Sequence, residues 1–291
     1  MENRLLKYFL VVAEEENITR AAEVLHVSQP ALSKQLMQLE EELGAKLFIR
    51  GKRNVTLTEE GRFLRGRAQE IIELTEKTER DFRDGVVKYN GVVSIGMGET
   101  AASDWLSEQV SRFSELYPDV KFDFYSATGD IVRQRIEKGL LDFGLIIEPF
   151  GDLSKFAYLP LSMKEQYGVL VSTKNPLSAK QYVTKEDLID QKIAVPFRFL
   201  SRLKQIGFDC LENNTFITNN LLFNVATIAK RNDGICLTVK GSTSLYDSRE
   251  LVWIPLFPKV ELSNVIIWKK YKQESPSANR FLEFVNHSLL L

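Results

Sequence analysis

The chain has 291 residues, 44% hydrophobic and 26% charged. That is enough for two ordinary domains with their own cores, and it excludes a disordered tail or a peptide-sized scaffold. Thirty-eight Lys and Arg against thirty-nine Asp and Glu leave a formal charge of −1, so any site for a polyanion has to be local. Two cysteines, Cys210 and Cys236, and two histidines, His26 and His287, exclude a disulfide framework, a four-thiolate metal site and a histidine-rich metal centre.

Leu5, Leu6, Phe9, Leu10, Val12 and Ala13 recur at helical spacing and predict a first helix that stops at Glu14-Glu15-Glu16. That run is far short of the roughly 20 apolar residues of a membrane span. With one basic residue ahead of it, it is also a poor signal peptide, so the cytoplasm is the expected location. Asn17 or Thr19 is positioned to cap a second helix through residues 20–25, whose small Ala21 and Ala22 admit a close neighbour. His26-Val27 makes a tight break. Ser28 then caps a third helix, with Pro30 tolerated in its first turn and Ala31, Leu32, Leu36 and Leu39 as its buried face. Its exposed face carries Gln29, Ser33, Lys34, Gln35 and Gln38.

After Gly44, residues 46–57 form two β-prone runs around a basic, glycine-containing tip, a wing. From Lys46 to Thr56 there are four basic residues and no acidic ones, although residues 1–60 hold eight basic and ten acidic residues. Thr58-Glu59-Glu60 opens a helix, its carboxylates in the turn that favours them. It is expected to run to about Tyr89 with Leu64, Ala68, Ile71, Thr75 and Phe82 near one stripe. At 1.5 Å per residue such a helix exceeds roughly 40 Å, longer than one small core covers, and the stripe points to pairing with a second chain.

From Gly91 the pattern alternates between strands and helices. Strands are predicted at 92–97, 120–126, 142–147, 167–171, 193–195, 215–218, 234–239 and 260–268. Helices are predicted at 103–117, 130–138, 201–212, 221–230 and 277–290. This is α/β with largely parallel strands, and its length favours two lobes.

The tri-helical unit and wing carry the clearest chemistry. In a helix-turn-helix the first helix braces the second, whose N-terminal residues enter the major groove. Those residues are Ser28, Gln29, Pro30, Ser33, Lys34 and Gln35. Gln can address adenine through its paired donor and acceptor, while Ser and Lys reach phosphates or base edges. Arg50, Lys52 and Arg53 suit phosphate or minor-groove contact, and Thr19 and Arg20 flank the reading helix.

The segment from Asn17 to Leu36 (NITRAAEVLHVSQPALSKQL), with Leu39-Glu40, Leu43-Gly44, Leu47-Phe48, Arg50, Arg53, Leu57-Thr58 and Gly61, closely resembles the signature of LysR-type bacterial transcriptional regulators. Gly139-Leu140-Leu141-Asp142-Phe143-Gly144-Leu145 is similar to a later pattern of that family. The resemblance implies a multidomain α and α/β protein. A winged helix-turn-helix DNA-binding domain would occupy residues 1–58, a linker and dimerisation helix 59–89, and a two-lobed effector domain of the periplasmic-binding-protein type 90–291. Lobe one would be about 91–160 with 266–291, and lobe two about 161–265. It further implies promoter DNA, a small-molecule effector between the lobes, a homodimer or homotetramer, and contact with RNA polymerase. No cofactor and no enzymatic activity are implied.

Family positions for the effector map onto Thr100 and Ser103, Thr128 and Gly129, Glu148 and Pro149, and residues 196–201, including Phe197 or Phe199 as an apolar wall and Ser201. Helix N-termini there suit an anion, but Glu99 and Glu148 would oppose one if they face inward. Carboxylate and amine-bearing effectors therefore both stay open, as does simple helix capping by the same Ser and Thr residues. Residues 229–234 depart from the family's small-residue run, and Val239 stands where a proline is common. Gly96-Met97-Gly98 is too short for a dinucleotide loop. Cys210 lacks a partner at the spacing of the family's oxidant-sensing pair, and Cys236 reads as buried strand. The alternative reading is a cytosolic small-molecule-binding or enzymatic α/β protein whose N-terminal helices mediate assembly only.

Overall fold

The computed structural model describes residues 2–51, 54–83, 89–148, 154–202, 205–231, 234–271 and 274–289. Lys52, Arg53 and Pro149 lie outside the described residues, and so do the side chains of Arg50, Phe82, Glu148 and Cys210. The chain divides into two units, Met1–Arg83 and Asp84–Leu291.

The first unit runs α1 (Asn3–Glu15), α2 (Ile18–Val24), α3 (Gln29–Leu43), β1 (Phe48–Arg50), β2 (Val55–Leu57) and α4 (Glu59–Arg83). Helix α1 ends where Glu16 turns left-handed at φ 51° and its N–H bonds Val12 O. Asn17, not Thr19, caps α2: its Oδ1 accepts from the N–H groups of Thr19 at 2.9 Å and Arg20 at 3.1 Å. Ser28 Oγ accepts from Ala31 N at the start of α3. The two small alanines of α2 are buried, and with Leu5, Leu6, Phe9, Leu32, Leu36 and Leu39 they close one core. Phe48 of the wing joins it, its ring 5.2 Å from that of Phe9.

Helix α4 differs from the sequence expectation in two ways. Its described length ends at Arg83, residues 84–88 lie outside the described residues, and Tyr89 is a bend rather than helix. Its apolar stripe is also already covered within the chain. Leu64 and Ala68 are buried in the helical core and Ile71 packs against it. Thr75 accepts a hydrogen bond from Asn3 of α1, and Lys7 pairs with Glu76 at 2.8 Å. Gly61 lets the start of α4 approach the wing, because a Cβ there would lie 2.2 Å from Leu47 O. Phe63 and Leu74 are the large apolar side chains that α4 leaves exposed among the described residues.

The second unit follows as β3 (Gly91–Met97), α5 (Ala101–Leu116), β4 (Val120–Ser126), α6 (Gly129–Glu137), β5 (Phe143–Glu148), β6 (Phe156–Ser172), α7 (Lys185–Leu188), β7 (Ile193–Pro196), α8 (Phe197–Leu200), α9 (Cys210–Asn214), β8 (Thr215–Asn219), α10 (Phe223–Arg231), β9 (Ile235–Val239), β10 (Leu251–Pro255), β11 (Glu261–Lys269) and α11 (Pro276–Ser288). Strands order as β4-β3-β5-β11-β6-β9-β7-β8, with β10 on β6. The two ends mirror one another: β4-β3-β5 and β8-β7-β9 are parallel trios, and each is closed by an antiparallel strand, β11 or β6. The sheet is thus mixed rather than largely parallel.

Strand β6 crosses between the lobes. Its first part pairs with β11 from Phe156↔Lys269 to Gln166↔Glu261, and from Tyr167 it pairs instead with β9. The β6–β11 pairing ends at Gln166↔Glu261, where β11 begins, while β6 stays extended to Ser172. The helix expected at 201–212 is replaced by two short ones, α8 and α9. Gly207 at φ +79° stands between them, a conformation that interrupts a helix.

Each lobe packs helices on both faces of its part of the sheet. In lobe one Phe113 of α5 sits among Tyr117, Phe122, Phe281 and Phe284, with ring centroids 4.5–5.9 Å away. Replacing so enclosed a ring leaves a cavity that its aromatic neighbours cannot close. Phe113→Ala is expected to lower the unfolding free energy by about 3–5 kcal/mol, measured by urea denaturation.

Candidate nucleic-acid interface and ligand cleft

The left-handed His26, at φ 53°, turns the chain sharply between α2 and α3. Ser28, Gln29, Pro30 and Lys34 are exposed on the first turns of α3, and Ser33 and Gln35 are half-buried beside them. Gln29 Nε2 donates to Ser33 Oγ at 3.2 Å, which orients the amide along the helix. Thr19 is exposed on α2. Arg20 is also exposed, but it is tied back to α1, donating to Glu15 O at 2.8 Å and pairing with the Glu15 carboxylate. A cation at that helix end is favourable, so part of its charge serves the fold.

The wing hangs on three anchors. Val55 N donates to Glu16 O at 2.8 Å, and Thr58 Oγ1 donates to Lys46 O at 2.7 Å. The third is Glu40, whose side chain is only 4% exposed at the end of α3. It accepts from Leu47 N at 2.8 Å, Phe48 N at 3.4 Å and Lys46 Nζ at 3.0 Å. Burial pushes its carboxyl up, but the Leu47 amide, the Lys46 ammonium and the Phe48 amide outweigh this and hold it below the usual range. Lys46 is consequently not one of four unopposed wing cations, since its partner comes from α3. Residue Arg50 stands opposite Val55 in the hairpin.

The second unit contains a cavity of about 360 Å³ between its lobes. Thr100, Thr128, Gly129 and Phe197, expected at the effector site, line it. Ser103 and Ser201 do not. Ser103 Oγ accepts from Thr100 N and donates to Gly98 O at 3.0 Å, while Ser201 Oγ donates to Arg198 O, so both serve local capping. Phe199 is buried under Tyr167, with ring centroids 3.8 Å apart, leaving Phe197 as the exposed aromatic wall.

Sequence reasoning missed the groups that join the lobes across this cavity. Arg198 of α8 pairs with Asp130 of α6 at 2.6 Å. Glu99, which does face inward, accepts from Leu222 N at 2.7 Å just before α10. Deeper in, Glu165 of β6 is fully buried and accepts from Ala101 N, at the start of α5, and from Gly241 N at 3.1 Å. Desolvation raises its pKa against those two hydrogen bonds and one from Asn264. Gly241 admits no Cβ, since one would lie 1.9 Å from Ala101 N. A carboxylate spaced from its partners by 64 to 123 residues carries no sequence signal for such pairing.

Cys236 is buried in β9 and its Sγ donates to Val225 O at 3.2 Å. Burial pushes its thiol up to about 12, which leaves almost no reactive thiolate near neutral pH. Among the described residues no group of three or more His, Cys, Asp or Glu is placed to hold a metal, and no helix is long and apolar enough to cross a membrane.

Residues 3–62 match the family model described as bacterial regulatory helix-turn-helix protein, lysR family, and residues 88–289 match the LysR substrate binding domain. The Hca operon transcriptional activator HcaR of Escherichia coli (strain K12) is 34% identical over 304 residues, 99% of this chain and 98% of that one. The transcriptional dual regulator GltC of Bacillus subtilis (strain 168) is 32% identical over 298 residues, 98% and 96% of the two chains. Other relatives align over only 59% and 63% of their own length. Full-length CbnR, solved with its target DNA, shares the fold at a TM-score of 0.77 and 21% identity, covering 99% of this chain and 100% of that one.

The Glu40 anchor generates a signed pH dependence. Its lowered pKa means that the stabilisation is fully present above the unfolded value and is lost as pH falls through the folded value. Glu40→Gln is expected to lose about 1–3 kcal/mol at neutral pH. The gap to the parent protein should close on acidification through the carboxylate range, measured by urea unfolding at a series of pH values.

Proposed function

The chain belongs to the LysR family of DNA-binding transcriptional regulators, and from that premise we propose that it reads promoter DNA through α3 and is controlled by a small molecule held between its lobes. The observation that carries the DNA reading is the exposure of Gln29 and Lys34 together on the first turns of a helix braced by α2. Gln29 addresses base edges, with Ser28, Ser33 and Gln35 beside it, and Lys34 addresses phosphate. Arg50, Lys52 and Arg53 extend the phosphate contact from the wing, and a second copy doubles the field.

The chain works as a homodimer or homotetramer on an inverted repeat in the cytoplasm, acts by binding rather than by catalysis, and passes the signal to RNA polymerase. Because Leu64 and Ala68 are occupied by the chain's own core, pairing through α4 uses its other face, with Phe63 and Leu74. The effector reading rests on the cavity walls contributed by both lobes and on the paired groups Arg198–Asp130 and Glu99–Leu222 that cross it. A ligand that favours one lobe separation over another shifts the protein between states by that difference in affinity.

Mobility-shift titrations of the gene's own upstream DNA at several salt concentrations test the DNA reading. Gln29→Ala is expected to relax base choice by about 1–3 kcal/mol at one position. Lys34→Ala and Arg53→Ala should weaken all sequences alike, each lowering the salt slope by about one. Shifts insensitive to salt, or variants indistinguishable from the parent, would overturn it.

A further inference from the structure

The cleft's charged groups are already partnered in a consistent pattern. Its lining cation, Arg198, is held by Asp130. The amide that opens α10 is held by Glu99. The amide that opens α5, behind Thr100, is held by Glu165. In each case an acceptor of this chain occupies a donor that an anionic ligand would need.

What remains unpartnered on the lining is mostly oxygen. Glu99 uses Oε2 for Leu222, and its Oε1 has no hydrogen bond among the described residues. The Tyr167 hydroxyl and the Thr128 hydroxyl line the same cavity, again with no hydrogen bond among the described residues. Burial pushes the Tyr167 phenol up, so it stays a neutral hydroxyl. Among the described residues the open donors include those two O–H groups and the first-turn amides of α6, and Asp130 in that turn already places a carboxylate beside the amides. A half-exposed helix end contributes less than a charge-assisted hydrogen bond to a carboxylate.

Resting on the cleft reading above, we infer that this site takes a small molecule carrying a primary amino group, not one held by a carboxylate. A protonated amine brings three N–H donors and no acceptor, which complements the Glu99, Tyr167 and Thr128 oxygens. The apolar part of such a molecule rests against Ile131 and Phe197, and an aromatic face there also favours a cation. A carboxylate would have to displace Asp130 or Glu99 from its partner and then lie beside the displaced charge.

The test uses the full chain and a library of skeleton-matched pairs, each primary amine set against the corresponding acid, benzylamine against benzoate among them, with affinities measured by calorimetry. Amines are expected to bind at least about tenfold more tightly than their acid partners. Glu99→Gln keeps an oxygen for Leu222 N but removes the charge, and should cost the amines about tenfold while sparing the acids. Ile131→Trp, which fills the cavity, should abolish binding of both. Acids that bind more tightly and are lost in Ile131→Trp would overturn the amine inference while leaving the cleft reading intact. Binding that survives Ile131→Trp would overturn the cleft reading itself. An amine preference unchanged in Glu99→Gln, or no saturable binding in either half of the library, also counts against the inference.

Discussion

The arrangement of the second unit depends on one buried carboxylate. Glu165 sits where β6 passes from one lobe to the other and gathers the first amide of α5 and the amide of Gly241. Burying a charge is costly unless it is fully hydrogen-bonded. The carboxylate is therefore kept only because α5 and the Gly241 turn come together around it. That requirement fixes Thr100 and Ser242, both on the cleft wall, relative to one another. It also explains why residue 241 is glycine, since the backbones approach too closely for any side chain.

The first unit solves a similar problem with Glu40. Its carboxylate lies near the end of a helix whose opposite end carries the exposed Gln29 and Lys34, and it receives the first two amides of the wing. Helix and hairpin are thereby set at a fixed relation. In both units an acid that composition counts simply as negative charge is consumed inside the structure. The near-zero net charge of the chain therefore does not report how its exposed charge is distributed.

Much of the fold was legible because its causes are local. Ser28 ahead of Gln29-Pro30, the alanine pair of α2 and the apolar spacing of α1 and α3 each act over one or two turns. Thr100, Thr128, Gly129 and Phe197 were legible for the same reason, being residues at strand ends and helix starts. Ser103 closes the capping box at the start of α5 and Ser201 caps the C-terminal end of α8, because a hydroxyl at a helix end satisfies backbone whether or not a ligand is near. Leu64 and Ala68 were correctly placed on one stripe, but a stripe does not say which neighbour covers it, and α1 does.

The sequence alone determined the helices and hairpin of the first unit, the α/β plan of the second and, through its motifs, the family. Those properties follow from periodicity, caps and turn residues that act on near neighbours. Only the tertiary structure decided which charges are available. Asp130 and Arg198 are 68 positions apart, the difference of their numbers, and meet across the cleft. Glu99 reaches Leu222, and Lys46 is claimed by Glu40. Electrostatic partnership depends on distance in space, which one-dimensional spacing does not encode beyond a few turns, and that is why the chemistry of the cleft emerged only with the fold.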